Sequence, residues 1–355
     1  MMKKINFVSR NYFPDSPGGA EKVFYEIYKK ANKDFDCKII SSYSDKSFFP
    51  KKSSIFSKLK TNNKILNYLY YLSNMSLKAN FGCDLVHANN IECLRLTKKP
   101  FILTIHHVGH FIDENIRHQS GFNKLMAKIL VWQANNASII TTVSENTKKD
   151  LIKMGVKNKI IVIPNGIDLN EFKPLKNKNN KKFIISHVSR ISPEKGQDFT
   201  IKCFEKLPNL IKEKCEMRII GHISNINYFS SLKKDKIKYF TNLSNQEYSK
   251  KIAESDLVVF PTFMAEGFGL VVLEAMACGI PILASDQPAI REAGGKTCQY
   301  FKQGDSSEFI KKLVKLYKSK KLRVNLSVEG LKWVKKFSWD KVYKDYKKLY
   351  LEMLK

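Results

Sequence analysis

Phe260–Asp286 reads FPTFMAEGFGLVVLEAMACGIPILASD, and its punctuation decides the fold. The run before Pro261 is short and apolar, as a buried strand is. A loop then presents Glu266 and Gly267-Phe268-Gly269, and an apolar segment long enough for two turns of helix begins at Leu270. Pro281 interrupts the apolar stretch, and a second short run follows it. Strand, glycine turn, helix and strand in this order form a βαβ unit, with parallel strands and a right-handed crossover. A transmembrane helix is the rival reading for so apolar a stretch. Glu274 lies in its middle and Pro281 interrupts it, and a carboxylate at the bilayer centre costs about 2.5–3.5 kcal/mol on insertion scales. A buried helix followed by a buried strand fits better.

The same rhythm extends both ways. Around the decisive stretch, strands are expected at 183–188, 216–221, 236–240, 257–260, 281–284 and 297–301. Helices are expected near 196–206, 245–254, 270–277 and 306–318, and the chain is helical from about 320. Nearer the N-terminus, strands at Ile5–Ser9, Cys37–Ser42, Asp84–Asn89, Phe101–His106, Ser138–Val143 and Lys159–Ile163 alternate with helices near 19–32, 121–136 and 145–154. These runs are rich in Ile and Val without strict alternation, the pattern of strands covered on both faces. Residues 164–182, PNGIDLNEFKPLKNKNNKK, break the rhythm and mark a domain boundary. A chain of 355 residues exceeds what one core usually serves. The expectation is α/β: two doubly wound, Rossmann-like domains, 1–165 and 166–337, facing each other across a cleft.

Composition narrows the function. Lys and Arg number 62 against 33 Asp and Glu, a net charge of +29 that favours anionic partners. Only seven of these cations are Arg, and Asn is abundant, so a general Lys/Asn bias explains most of the excess. No zinc-finger, RNA-recognition or helix-turn-helix signature accompanies the charge, and nucleic acid is not an expected partner. The seven Cys include no C-x-x-C pair, which argues against a disulfide framework or a structural zinc site. The apolar run at the N-terminus is too short for a signal peptide. Residues 46–60 alternate Lys with Phe, Ile and Leu and have no acid after Asp45, a composition suited to anionic lipid headgroups. For 64–81, an ordinary helix packing its Tyr/Leu stripe on the sheet, with Lys outside, is the plainer expectation.

Several side chains carry chemistry. Gly267 and Gly269 let the backbone approach a ligand, and the helix start at Leu270 offers free N–H groups to a phosphate. Glu266 and Glu274 stand on either side of that position and can grip sugar hydroxyls. A strand–turn–helix with a capping and a buried Glu would look the same. Arg190 and Lys195, in HVSRISPEKGQD (187–198), follow a strand end and can neutralise a diphosphate. Gly18 and Gly19 precede a helix, and His106 ends a strand. His106, His107 and His110 could suggest a metal, but no carboxylate triad or Cys pair joins them, and no Asp-x-Asp is present to hold a divalent ion.

EGFGLVVLEAMACGIPILASD resembles the Glu-x7-Glu motif of the retaining glycosyltransferases of family 4 (group 1), which have the GT-B fold. SPGGAEK (16–22), TIHH (104–107), VSENTKKDL (143–151), IPNGID (163–168), HVSRISPEKGQD and FSWD (337–340) resemble further motifs of that family in the same order. The resemblance implies that the final helix, 338–355, returns to the first domain, which receives the acceptor. It implies that Arg190 and Lys195 hold the nucleotide diphosphate, that Glu274 binds the ribose, and that Glu266 meets the donor sugar. It places the backbone N–H groups of Gly267, Phe268, Gly269 and Leu270 at sugar or phosphate, Gly18 and Gly19 at the donor phosphate, and His106 beside the reacting carbon. No metal and no cofactor beyond the donor are expected. The implied reaction moves a sugar from a UDP- or GDP-linked donor to a hydroxyl, the acceptor being saccharide or lipid-linked. The expected site of action is the cytoplasm, peripheral at the inner face of the cell membrane. A transferase with a soluble cytosolic acceptor and a GT-B phosphorylase with Lys-bound pyridoxal phosphate are the enzymatic alternatives, and a basic nucleic-acid-binding protein is the non-enzymatic one.

Overall fold

The computed structural model describes residues 2–11, 18–41, 52–54, 64–112, 121–233 and 235–355. The chain divides into two compact units, one formed by residues 1–165 with 339–355 and the other by residues 166–338.

The first unit is built on seven parallel strands: β1 (Lys4–Val8), β2 (Asp36–Ser41), β3 (Lys52–Ser54), β4 (Leu85–Asn89), β5 (Phe101–Ile105), β6 (Ile139–Thr142) and β7 (Ile160–Val162). Their spatial order is β3-β2-β1-β4-β5-β6-β7. Consecutive strands pair outward in both directions from β1 and β4, so the winding reverses between these two. Helices α1 (Gly19–Ala31), α2 (Lys64–Asn80), α3 (Gly109–Ile112), α4 (Gly121–Asn136) and α5 (Glu145–Lys153) form the connections. All five residues of β4 and all five of β5 are buried, which is why neither strand alternates in hydropathy.

The second unit has six parallel strands: β8 (Phe183–Val188), β9 (Cys215–Ile220), β10 (Ile237–Phe240), β11 (Leu257–Phe260), β12 (Ile282–Ser285) and β13 (Gln299–Phe301), in the order β10-β9-β8-β11-β12-β13. Its winding reverses between β8 and β11. The helices are α6 (Gln197–Glu205), α7 (Asn209–Lys212), α8 (Ile226–Ser231), α9 (Asn245–Ala253), α10 (Leu270–Ala277), α11 (Pro288–Gly294), α12 (Ser306–Lys318) and α13 (Lys320–Val334). Ile167 donates its N–H to Phe337 O at 2.8 Å and so ties the unit's first residues to its last.

Helix α14 (Trp339–Met353) belongs to the first unit. Its buried residues, Trp339, Val342, Tyr343, Tyr346, Leu349 and Tyr350, recur at helical spacing along one face. The Tyr350 ring meets Phe7 and Phe35 edge-on, and its hydroxyl lies 2.8 Å from His87 Nδ1. Asp34 accepts from Tyr343 and pairs with Lys347, and Lys30 pairs with Asp340.

The doubly wound α/β class is as expected, with one local correction. Within the stretch taken as an interruption, Lys52–Ser54 forms an edge strand, and the rest of 46–60 lies outside the described residues. Helix α2 packs Tyr71, Leu72, Met75 and Ala79 into the core with Lys78 outside, as expected for 64–81, while Leu69, Tyr70 and Leu77 are exposed. All seven Cys are buried, and none forms a disulfide. Among the described residues no helix is long and apolar enough to cross a membrane.

Candidate active site

In doubly wound sheets, ligands bind beyond the carboxyl ends of the strands where the winding reverses. In the second unit this point is marked by the loops after β8 and β11, which carry Arg190, Lys195 and Glu266. After β8 the chain makes a short 3-10 turn, Pro193–Lys195, ended by Gly196 at φ +74°. A Cβ at this glycine would stand 2.6 Å from Pro261 O, so its absence lets the two loops close on each other. Phe263 N–H donates to Glu194 O at 2.8 Å and joins them.

This juxtaposition brings Lys195 Nζ within 2.5 Å of Glu266 Oε1, with side-chain exposures of 11% and 14%. The Glu266 loop is braced from α11: Gln287 Oε1 accepts the Glu266 N–H at 3.1 Å, and Gln287 Nε2 donates to the carbonyls of Thr262 and Met264. Arg190 pairs with Glu194 at 2.8 Å, and Ser192 Oγ donates to the same oxygen. Burial opposes the charge on Glu194, yet the Ser192 hydrogen bond and the Arg190 guanidinium bring its carboxyl below the usual range. Burial, then the nearby Arg190 charge, hold the His222 imidazole below its ordinary value.

Gly269, at φ +97°, is the N-cap of α10, and no side chain caps this helix. Its first-turn N–H groups are therefore available to an anion. The Phe268 side chain is buried against Phe337, with ring centroids 5.6 Å apart, which leaves its backbone for a ligand. Gly267 and Leu270 are half-buried beside it. Glu274, in the second turn of α10, is 7% exposed and accepts a hydrogen bond of 2.8 Å from the Tyr248 hydroxyl. Burial, then the Glu274 carboxylate, push the Tyr248 hydroxyl well above its ordinary value. One unit thus holds two cations, three carboxylates and an open helix start around one strand-end switch point.

In the first unit the corresponding switch lies after β1 and β4. His106 follows β5 directly and is buried, and among the described residues neither ring nitrogen has a hydrogen-bond partner. Burial pushes its imidazole down to about 4, so it is neutral at physiological pH. Gly18 is the N-cap of α1 and Gly19 its first residue; a side chain at 18 would collide with the Glu21 carboxylate. Beyond β4, Glu92 accepts from the Tyr71 hydroxyl at 2.6 Å, and the Arg10 guanidinium lies over the Tyr71 ring. Burial pushes Glu92 up to about 7 against the pull of Tyr71 and Arg10. Asn89 donates to Ser9 Oγ, while its own Oδ1, like that of Asn11, is buried without a partner among the described residues. His107 is half-buried, and nothing is described of the His110 side chain. Among the described residues no three His, Cys, Asp or Glu side chains are grouped to hold a metal ion.

Tyr248, Gln287 and Glu92 were not legible as site residues. Their partners lie 26, 21 and 21 residues away, a separation that no local pattern encodes.

The family model described as glycosyl transferases group 1 matches residues 168–333, and the one described as glycosyltransferase family 4 matches residues 17–171. An uncharacterized glycosyltransferase of Methanocaldococcus jannaschii is 26% identical over 282 residues, 77% of this chain and 76% of its own. The sulfoquinovosyl transferase of Arabidopsis thaliana is 26% identical over 295 residues, 74% of this chain and 55% of its own. HepE from Anabaena, solved in complex with UDP and glucose, has a similar fold. Its TM-score is 0.80 at 19% identity, over 99% of this chain and 100% of that one.

Proposed function

We propose that this chain, which belongs to the group 1, family 4 glycosyltransferases, is a retaining, metal-independent hexosyltransferase. It takes a nucleotide-diphosphate sugar, UDP- or GDP-linked, and transfers the sugar to an acceptor hydroxyl in the synthesis of a cell-surface polysaccharide, lipopolysaccharide or glycolipid. It works in the cytoplasm, at the inner face of the membrane. The observation that carries the reading is the cluster at the β8/β11 switch point. There Lys195 and Glu266 meet beside Arg190, close to an uncapped helix start and to Glu274.

Each group has a task that its chemistry suits. Arg190 and Lys195 take the charge that grows on the diphosphate as the glycosidic bond breaks, so no divalent ion is needed for it. The α10 amides of Phe268, Gly269 and Leu270 donate to phosphate or sugar oxygens. Glu274, positioned by Tyr248, accepts from the ribose hydroxyls. Glu266 accepts from hydroxyls of the donor sugar and returns to Lys195 when the site empties. Attack comes from the face the leaving group departs. The C1–phosphate bond breaks, the C1–acceptor oxygen bond forms, and the acceptor proton passes to a phosphate oxygen of the departing nucleoside diphosphate. Neutral His106 and Gly18-Gly19 belong to the first unit, as do Glu92, Asn89 and Asn11, whose acceptor atoms suit an incoming hydroxyl.

The test is calorimetric titration of UDP, GDP, UDP-glucose and GDP-mannose in the presence of chelator, followed by NMR of the anomeric proton in the product. Failure of every nucleotide to bind without metal, or inversion at C1, sinks the proposal.

A further inference from the structure

The loop that carries Arg190 and Lys195 is closed at its base by a network of buried side chains. His187, near the end of β8, is wholly buried, and both of its ring nitrogens are engaged. Nδ1 lies 2.8 Å from Thr200 Oγ1 in α6, and Nε2 lies 2.9 Å from Ser189 Oγ. One ring thus joins the residue before Arg190 to the helix that follows Lys195. Gln197, the first residue of that helix, repeats the connection. Its Nε2 donates to Ser189 Oγ and to Arg190 O, both at 2.8 Å. The Thr200 hydroxyl reaches Gly196 O at 3.2 Å, and the Ser189 hydroxyl reaches Arg190 O at 3.1 Å. The carbonyls at which the network ends flank the two cations. Arg190 O belongs to the first, and Gly196 O follows directly on the second.

A core packed for stability alone has no need of this arrangement. Arg190 O can only accept, so the Gln197 amide must turn its nitrogen toward it. Its Oε1 is left buried without a partner among the described residues. An unpaired buried acceptor costs stability, and an apolar side chain of similar volume would avoid the cost. Burial, then the Lys195 charge, hold the His187 imidazole down to about 3 against the pull of Asp198. The ring is therefore neutral, with one donor and one acceptor nitrogen. One of its two hydroxyl partners must turn its proton to the ring, and the other is free to give its proton to the carbonyl beyond. A single ring so orients both hydroxyls.

We propose that His187, Ser189, Gln197 and Thr200 are positioning residues that brace the two ends of the 190–196 loop and hold Arg190 and Lys195 in their binding geometry before the donor arrives. This rests on the reading of those two cations as partners of the diphosphate. The four residues lie buried at the base of the loop and act through its backbone. A loop ordered in advance loses less conformational freedom when the ligand binds.

The experiment titrates the full chain by calorimetry with UDP and GDP, and with uridine and guanosine, which lack the phosphates. His187→Phe, Gln197→Met and Thr200→Val keep side-chain volumes close to the native ones and remove the hydrogen bonds. Each is expected to weaken binding of the diphosphate that the native chain takes by about three- to tenfold, the worth of one or two neutral hydrogen bonds. Nucleoside binding is expected to stay unchanged, which a merely structural defect would not spare. Thr200→Ser keeps the hydroxyl and is expected to restore native affinity. Circular dichroism melting fixes a temperature at which every variant is folded. If His187→Phe does not fold, Thr200→Val against Thr200→Ser carries the test. Lower melting temperatures with unchanged diphosphate affinity, or equal losses for nucleoside and diphosphate, overturn the proposal. Failure of the native chain itself to bind UDP or GDP would sink the donor reading, and the positioning role with it.

Discussion

Lys195 Nζ and Glu266 Oε1 stand 2.5 Å apart at the carboxyl end of the second sheet, each largely withdrawn from solvent. The two lie 71 residues apart in sequence, on loops that Gly196 allows to touch and that the Phe263 N–H bond to Glu194 O joins. A cation and a carboxylate held this way can each exchange the other for part of a ligand without either being left bare in a low-dielectric site.

Substitution of the two partners should therefore act in opposite directions on nucleotide binding. Lys195→Ala and Arg190→Ala should each weaken nucleoside diphosphate binding by about 1.5–3 kcal/mol, the worth of a charge-assisted hydrogen bond. Glu266→Gln should lower stability by about 1–3 kcal/mol, because Lys195 loses its counter-charge in a buried setting. The same variant should bind the diphosphate at least as tightly as the native chain while losing transfer. Calorimetry and urea unfolding measure both quantities. Weaker diphosphate binding by Glu266→Gln would refute the exchange.

Glu274 should be felt through the ribose alone. Glu274→Ala should weaken UDP or GDP binding by about 1.5–3 kcal/mol. Deoxy-nucleotides lacking a ribose hydroxyl should bind the native chain more weakly than the parent, and Glu274→Ala should no longer distinguish them. Tyr248→Phe should give a smaller loss of about 0.5–1.5 kcal/mol, since it removes one donor to the Glu274 carboxylate. A deoxy-nucleotide penalty that survives in Glu274→Ala would place the ribose elsewhere.

Gly196→Ala forces a Cβ into the space in front of Pro261 O at a positive φ. The expected cost is about 1–3 kcal/mol of stability from backbone strain and loop separation. Thermal unfolding measures it. Because the two loops are pushed apart, nucleotide affinity should fall as well. An unchanged melting temperature would show that the loops can shift freely.

Stability should fall with acid between pH 6.5 and 4. Burial pushes His106 down to about 4 and His87 and His187 to about 3, the latter two with help from neighbouring His106 and Lys195. Across that window the unfolded chain binds protons these three do not accept when folded, so stability is present above the ordinary His range and is lost as pH drops. Glu92, raised to about 7 by burial, has the opposite sign, because the folded state holds its proton longer and stability falls as pH rises from about 4.5 to 7. Three imidazoles outweigh one carboxyl, and urea midpoints at pH 5 should lie below those at pH 7. His106→Asn should flatten the slope, whereas Glu92→Gln should steepen it. A midpoint independent of pH in this window would contradict the buried neutral imidazoles.

Much of the architecture was legible because it follows from burial. Strands covered on both faces must read as apolar runs, as FILTI and LVVF do, and the glycines at 267–269 announce the turn into α10. What escaped had no such imprint. β3 is three residues, Lys52–Ser54, at a sheet edge, with no apolar run to mark it. Helices α8 and α11 are six and seven residues long, too short for a period to emerge. In the site, the motif residues were legible because their spacing is local. Tyr248 and Gln287 were not, since they act on Glu274 and Glu266 from other elements. The exposed row on α2 was hidden for the opposite reason. Its Leu and Tyr residues have core composition, and only the packed structure reveals which of them face outward.

The return of α14 makes the first unit discontinuous in sequence, since residues 339–355 complete it only after the whole of the second unit has been traversed. Phe7, Phe35 and His87 take their cover from Tyr350, so loss of α14 would strip the unit whose strands come first in the sequence and leave residues 166–338 with all of their own elements. Damage late in the sequence thus appears as misfolding at its start.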